Sequence, residues 1–284
     1  MIGFAKRNLL LFFRDKTSVF FSLLAVFIII GLYALFLGDV WISSFSDMQG
    51  VRFLMDSWIT AGLLAVTSVT TSMGAFGTMV EDKVKKITKD FTSSSIKRKE
   101  IMGGYTLSAY IIGVIMCLIA LILSQIYIVA GGGQFMSLPV LLKVFGLILL
   151  CTFTNTAMIL FVVTFFESVN AFATASTIIG TLIGFLTGIY LPIGQLPEAV
   201  QWVVRLFPVT HAASLFRQVL MEVPVSITFA GAPGDTVASF EKLMGVKLYF
   251  GDTAVRSLVN IGILIFTAVI FYGLTVLRIS RKKR

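Results

Sequence analysis

The amino-acid sequence predicts an all-α integral membrane protein with six transmembrane helices, an N-terminal amphipathic interfacial helix and an outer re-entrant helical hairpin. Two observations carry this reading. Hydrophobic residues make up 57% of the 284 positions and charged residues 13%, where soluble domains hold roughly 45–50% and about 25%. The mean hydropathy of +0.95 agrees. The second observation is the spacing of charge. Asp, Glu, Lys and Arg are absent from 17–38, 57–80, 101–142, 144–166, 168–197 and 257–277, and a helix needs about 20 apolar residues to cross a roughly 30 Å hydrocarbon core. Such a composition excludes a disordered chain, a nucleic-acid-binding domain and a soluble enzyme.

The elements follow in chain order. Residues 1–16, MIGFAKRNLLLFFRDK, put Ile2, Ala5, Leu9, Phe12 and Phe13 near one helical face and Arg7 and Arg14 on the other, as in a helix lying in a membrane interface. The first span is 17–38. It is long for a signal-peptide core and has no small-residue cleavage site after Leu37, so an uncleaved helix is expected. The second span, 57–80, carries Thr60, Thr67 and Thr71 at helical spacing, with Ser68 and Ser72 beside them. A polar, basic segment follows at 81–104.

The long window at 101–142 is broken by Gly131-Gly132-Gly133 and Pro139, turn chemistry that ends a helix, so it yields one span at 105–130. The fourth span is 143–166 and the fifth 171–191. Thr174, Thr177, Thr181, Gly184 and Gly188 recur along the fifth, and Gly180-Gly184-Gly188 forms a small-residue face of the kind that packs membrane helices. Pro192, Pro197 and Pro208 then divide an apolar stretch into two pieces, about 197–207 and 209–222, each too short to span. They form the expected hairpin at 192–222, carrying Arg205, His211 and Arg217. A polar outer loop at 223–253 leads to the last span, 254–277.

Charge sets the orientation. Of 23 basic residues, 16 fall in 1–16, 81–104 and 278–284. Lys and Arg concentrate on the cytoplasmic side, so both termini are expected inside, in keeping with an even number of spans. The net charge of +9 thus reflects topology and not a nucleic-acid partner. Cys117 and Cys151 lie in apolar runs as small buried hydrophobes. With one His in the chain, no metal site is expected. The apolar windows hold no ionisable group of the sort that proton-driven carriers use. There is no GxxxxGK[ST] phosphate loop, so an ATP-driven process requires a second polypeptide.

Two stretches resemble a known family. One is Gly188-Ile-Tyr-Leu-Pro192-Ile-Gly-Gln-Leu-Pro197, continued by Phe207-Pro208-Val-Thr210-His211 and Arg217. The other is Lys89-Asp90-Phe91-Thr-Ser-Ser-Ser95-Ile96-Lys97-Arg98, leading to Gly103-Gly104. In this order of elements the chain resembles the ABC-2 family of ABC transporter permeases, in particular the drug-export-like bacterial members. Ser95 stands where the family often has Pro, and Lys86-Ile87 where Gly-Thr is common.

The resemblance implies one permease domain over 1–284, with a type V exporter-like fold, in a bacterial cytoplasmic membrane. It implies a second permease copy or a sister permease, and cytoplasmic ABC ATPase subunits that use ATP and Mg. This chain would itself hold no cofactor and catalyse nothing. Lys89, Asp90, Phe91, Ile96, Lys97, Arg98 and Lys99 would couple to the ATPase. Thr60, Thr67, Thr71, Thr174, Thr177, Thr181, Gly184, Phe185 and Gly188 would line the translocation path. Pro192, Pro197, Pro208, His211 and Arg217 would form the outer gate. The cargo expected is an amphipathic drug, an antimicrobial or a lipid-like compound. A lipid-linked glycan, or ATP-independent transport by a carrier or channel, are the alternatives.

Overall fold

The computed structural model describes residues 1–33, 35, 48–87, 91, 98–251 and 253–281. Helix α1 (Ile2–Arg14) turns through 73° into α2 (Lys16–Leu32). Asp15 makes the corner. Its carboxylate accepts hydrogen bonds from the Thr17 and Ser18 amides at 3.1 and 3.2 Å, and from the Ser18 hydroxyl. It thereby satisfies donors that the first turn of α2 leaves unpaired. These bonds, the Ser18 hydroxyl's foremost, hold the Asp15 carboxyl below the usual carboxylate range.

Four long helices follow: α3 (Val51–Val84), α4 (Arg98–Ala130), α5 (Leu138–Val163) and α6 (Val169–Leu186). Then come α7 (Glu198–Leu206), α8 (Pro208–Leu220), α9 (Glu222–Thr228) and α10 (Gly234–Leu243). The two-residue strands β1 (Tyr249–Phe250) and β2 (Thr253–Ala254) pair antiparallel before the last helix, α11 (Ser257–Arg281). Among the described residues, α3, α4, α5, α6 and α11 are long and apolar enough to cross a membrane. The α1–α2 pair adds a sixth when counted as one bent span. The molecule is therefore an all-α membrane protein.

Helix α3 is the axis of the fold. Helices α2, α4, α5, α6, α8 and α9 all pack on it. Apolar solvent gives no hydrophobic drive between membrane helices, so close approach by small residues takes its place. Ala61, Gly62, Ala65, Ser68, Thr71, Ser72 and Ala75 are all buried along α3. At Gly62 an added Cβ would lie 3.1 Å from Ile189 Cγ1. Helix α6, by contrast, buries only Phe172, Ile183 and Gly184 in this chain.

Helix boundaries differ from the apolar windows. Helix α3 begins before 57 and α4 before 105, because both run past the hydrocarbon-length core into charged residues. Helix α6 stops at Leu186, short of 191. Gly188 takes φ +68, its amide bonds to Phe185 O, and the Ile189 amide bonds to Gly184 O. This is a left-handed helix stop that Gly makes without Cβ strain. The break between α7 and α8 falls at Phe207, with Pro208 opening α8 where its missing N–H costs nothing.

The buried stripe of α1 is Phe4, Ala5, Asn8 and Phe12, with Leu9 and Phe13 partly buried against the core; of the expected Ile2–Ala5–Leu9–Phe12–Phe13 face, only Ile2 lies off it. Ile2 is 76% exposed. The reason is Gly104 on α4, where an added Cβ would lie 2.6 Å from Phe4 Cδ1. Only Gly lets α1 seat with Phe4 inward. Replacing Gly104 by Val is expected to lower stability by about 1–3 kcal/mol through overpacking and to expose α1 to protease. Gly262→Val, where a Cβ meets open space, is expected to change little. Thermal unfolding in detergent and limited proteolysis check both.

Candidate functional site

Three groups of residues lie along α3. At the end formed by the C-termini of α3, α5 and α11 and the N-terminus of α4, α1 is bound by an ion pair. Arg7 donates to Asp82 through Nη1 at 2.7 Å and Nη2 at 3.1 Å. The Tyr105 hydroxyl of α4 donates to the same carboxylate at 2.6 Å. Asn8, which accepts from Arg7 at 2.9 Å, reaches Ser108 of α4 at 3.4 Å. The bidentate fork is the strong form of such a pair. Bonding to Asp82 raises Arg7 above its ordinary range, so it stays charged. Arg7 therefore faces the protein, not the lipid headgroups that an interfacial helix would offer it.

Phe91 joins this cluster. Its ring meets Phe4 edge-on at 5.0 Å, and the Arg7 guanidinium lies 5.2 Å from its centroid. Phe4 also stacks edge-on with Tyr105 at 4.9 Å. Of the other expected coupling residues, Lys99 is exposed on α4. Lys89, Asp90, Ile96, Lys97 and the Arg98 side chain lie outside the described residues. Arg7, Asp82 and Tyr105 were not anticipated from sequence. The signal available was an acidic pair, Glu81-Asp82, between an apolar run and a basic segment.

At mid-length the two Thr rows part. Thr60, Thr67 and Thr71, expected to line the translocation path, are buried inside the chain. Their hydroxyls donate to Asp56, Leu63 and Thr67 carbonyls one turn back. Polar α3 residues thus serve burial, and Ser68 receives a cross-helix bond from Asn155 at 2.6 Å. Thr174, Thr177 and Thr181 are exposed on α6 together with Phe185, and their hydroxyls likewise bond back to the helix. Gly184 is covered by Tyr190 of its own chain, where a Cβ would fall 2.1 Å from the ring. With Gly188 ending the helix, the expected continuous small-residue face is reduced to Gly180.

Beside this row, α2, α3 and α6 enclose a cleft of about 350 Å³. Its lining includes Phe21, Ser22, Thr70, Met73, Ser176 and Gly180. The Ser22, Thr70 and Ser176 hydroxyls donate to their own helix backbones, the Ser18 hydroxyl donates to Asp15, and all keep lone pairs free to accept. The lining is apolar, uncharged and accepting.

At the other end, Arg217 of α8 is fully buried. Its guanidinium donates to Thr187 O at 2.8 Å, Gly188 O at 3.3 Å and Gly245 O at 3.5 Å. It also lies over the Trp58 ring at 4.7 Å. Trp58 Nε1 donates to Met244 O at 2.7 Å. Among the described residues no carboxylate pairs with Arg217. Carbonyl dipoles left over at the C-terminus of α6 and an aromatic face balance its charge. His211 Nε2 donates to Arg205 O at 2.8 Å, and Nδ1 lies 2.7 Å from the Asn260 side-chain amide of α11. The Thr210 hydroxyl lies 2.7 Å from both Leu186 O and Val204 O. Pro192 and Pro197 flank the short turn Ile193–Gln195 and lead into α7. Four of the five expected gate residues thus bracket one interlocked set, with Pro208 at its helix break.

A family model described as ABC-2 type transporter matches residues 3–221. No curated protein matches the chain.

Two substitutions test the clamps. Asp82 is 5% exposed in its side chain, so Arg7→Ala strands a buried carboxylate and is expected to cost about 3 kcal/mol. Arg7→Ala with Asp82→Ala is expected to cost less than the sum of the single changes. A double-mutant cycle by thermal unfolding reads the coupling. Arg217→Lys keeps the charge but loses the planar fork and the stack. It is expected to cost about 1–3 kcal/mol through unpaired carbonyls, read by the same measurement.

Proposed function

The chain belongs to the ABC-2 type transporter family and is a multi-pass membrane permease of an ABC-type transporter, and from that premise we propose that it is the membrane subunit of an ATP-driven exporter. The cargo is an amphipathic drug, antimicrobial or lipid-like compound. The family match is the observation that carries the reading, and the local chemistry supports it at three points.

The sequence has no phosphate loop, and ABC-2 permeases typically pair with an ABC ATPase, so ATP and Mg belong to a separate cytoplasmic subunit. Basic residues gather at the end where Arg7 meets Asp82, and this end faces the cytoplasm. The segment containing Lys89, Asp90, Phe91, Ile96, Lys97, Arg98 and Lys99 seats on the ATPase. Phe91 passes its displacement to α1 and to the Arg7–Asp82 pair.

The cargo path runs by the α2–α3–α6 cleft. An uncharged, hydroxyl-bearing and largely apolar lining suits a molecule with an apolar body and a few N–H or O–H donors. The exposed row Thr174–Thr177–Thr181 on α6 meets a second permease, identical or sister, across the central path. Helices α7 and α8 re-enter the outer leaflet as the gate. Backbone breaks at that depth are tolerated only where protein covers them, and the Arg217 carbonyl contacts supply such cover. Switching between inward and outward states is a rigid displacement of packed helices between discrete arrangements.

Mild-detergent purification from the native host is expected to bring down a stoichiometric ATPase with vanadate-sensitive hydrolysis. Charge reversal at Lys97, Arg98 and Lys99 is expected to weaken that association. Thr181→Phe is expected to abolish transport while the complex still assembles. A preparation with no ATPase, active in proteoliposomes without ATP, would instead establish a carrier or channel. Normal transport by Thr181→Phe would place the path elsewhere.

A further inference from the structure

Two cations stand out at the basic end. Lys99, in the first turn of α4, and Arg278, in the last turns of α11, are exposed. Among the described residues, neither makes an ion pair. Arg278 rests over the Phe165 ring at 3.5 Å, which fixes its position without cancelling its charge.

Both stand on clefts. One, of about 230 Å³, lies between α4 and α11, with Lys99, Thr106, Tyr272 and Val276 on its walls and Leu160 of α5 also lining it. The other, of about 390 Å³, wraps the end of α5 and takes in Met79, Lys83, Val163 and Arg278. Met102 and Ile279 line both, so the two adjoin. Lys83 donates to Phe166 O at 2.7 Å and sits 3.8 Å from Glu167. Its charge is directed inward, and Lys99 and Arg278 are left to meet a ligand.

The combination is selective. The walls are mainly apolar, with the hydroxyls of Thr106, Tyr272, Thr275 and Ser280 among them, and the cations stand at helix ends. A soluble anion would satisfy the cations and leave the apolar walls unfilled. A phosphatidylcholine would fill the walls but bring its own cation against Lys99 and Arg278. An acidic lipid satisfies both, and basic pockets between transmembrane helices are suited to such headgroups.

We propose that this cleft is a binding site for an anionic phospholipid, with its phosphate held by Lys99 and Arg278 and an acyl chain along Met102, Leu160 and Val276. The site is separate from the α2–α3–α6 cleft and independent of the cargo reading. Only its assignment to the inner leaflet rests on the orientation proposed above. A bound lipid bridges α4 and α11, two helices that both pack on α5.

Native mass spectrometry of the purified, delipidated protein with added phosphatidylglycerol or phosphatidylcholine tests this. Phosphatidylglycerol is expected to bind in preference. Lys99→Gln and Arg278→Gln are each expected to weaken it about fivefold. Lys99→Arg is expected to retain it. Lys85→Gln, which alters a lysine paired with Glu81, is expected to leave binding unchanged. Glycerol phosphate at the same concentration is expected not to compete. Equal affinity for the two lipids would overturn the proposal, as would phosphatidylglycerol affinity unchanged in both Gln variants. Competition by glycerol phosphate would overturn the lipid assignment in favour of a soluble phosphate. Binding is read on the permease without the ATPase, so failure here leaves the exporter reading standing, although Lys99 also belongs to the segment proposed to seat on that subunit.

Discussion

The burial of α3 on every side is the constraint on which the rest of the structure depends. In lipid a helix gains little by hiding apolar surface, so its neighbours must be held by close packing and internal hydrogen bonds. Helix α3 meets both needs with small and hydroxyl-bearing residues. Six of these hydroxyls, from Thr60 to Ser72, close on their own backbone, as Thr67 does on Leu63 O and Ser72 on Ser68 O. That frees the surface for approach by α4, α5 and α8. The same requirement explains Gly62 beneath Ile189 and Gly113 beneath Thr152, where an added Cβ would meet the Thr methyl at 2.6 Å.

A cation clamps each end of this axis. Arg7 holds Asp82, and Arg217 lies over Trp58. The two α3 positions are separated by roughly 36 Å of helix at 1.5 Å per residue. One clamp fastens α1 and, through Phe91, the basic segment. The other fastens α8, the end of α6 and the Gly245 turn. Under the proposed function, these are the two places where movement enters and leaves the subunit. A close-packed rod between them transmits displacement without needing a chain of side-chain switches, because packed interiors deform little.

Composition and charge spacing made the membrane fold legible, as did the family resemblance, which the match over 3–221 shows. Pro197 and Pro208 marked the α7 and α8 breaks because Pro acts locally on the backbone. What sequence could not show was direction. A Thr row has the same spacing whether it faces outward, as on α6, or a neighbouring helix, as on α3. Gly184 and Gly188 looked like one packing face. One accommodates Tyr190 and the other ends the helix, a distinction set by chain reversal after Leu186. Arg7 lies seven residues from Arg14 and by spacing shares its helical face, yet Asp82, 75 positions away, draws it inward. Windows chosen for lack of charge also left Asp82 at their edge, where its burial could not be seen.

The central claim is that α3 and the α7–α8 pair move as one body. It is tested most directly by distance measurement between spin labels in the assembled transporter. Labels at Lys85, beyond the inner clamp, and at Val203 on α7, both exposed, span the axis, and the native cysteines are buried. The account predicts one unchanged distance distribution in nucleotide-free and vanadate-trapped states, while a Thr177–Thr177 pair across two permeases shifts. A Lys85–Val203 distance that changes with nucleotide while the Thr177 pair stays fixed would contradict it.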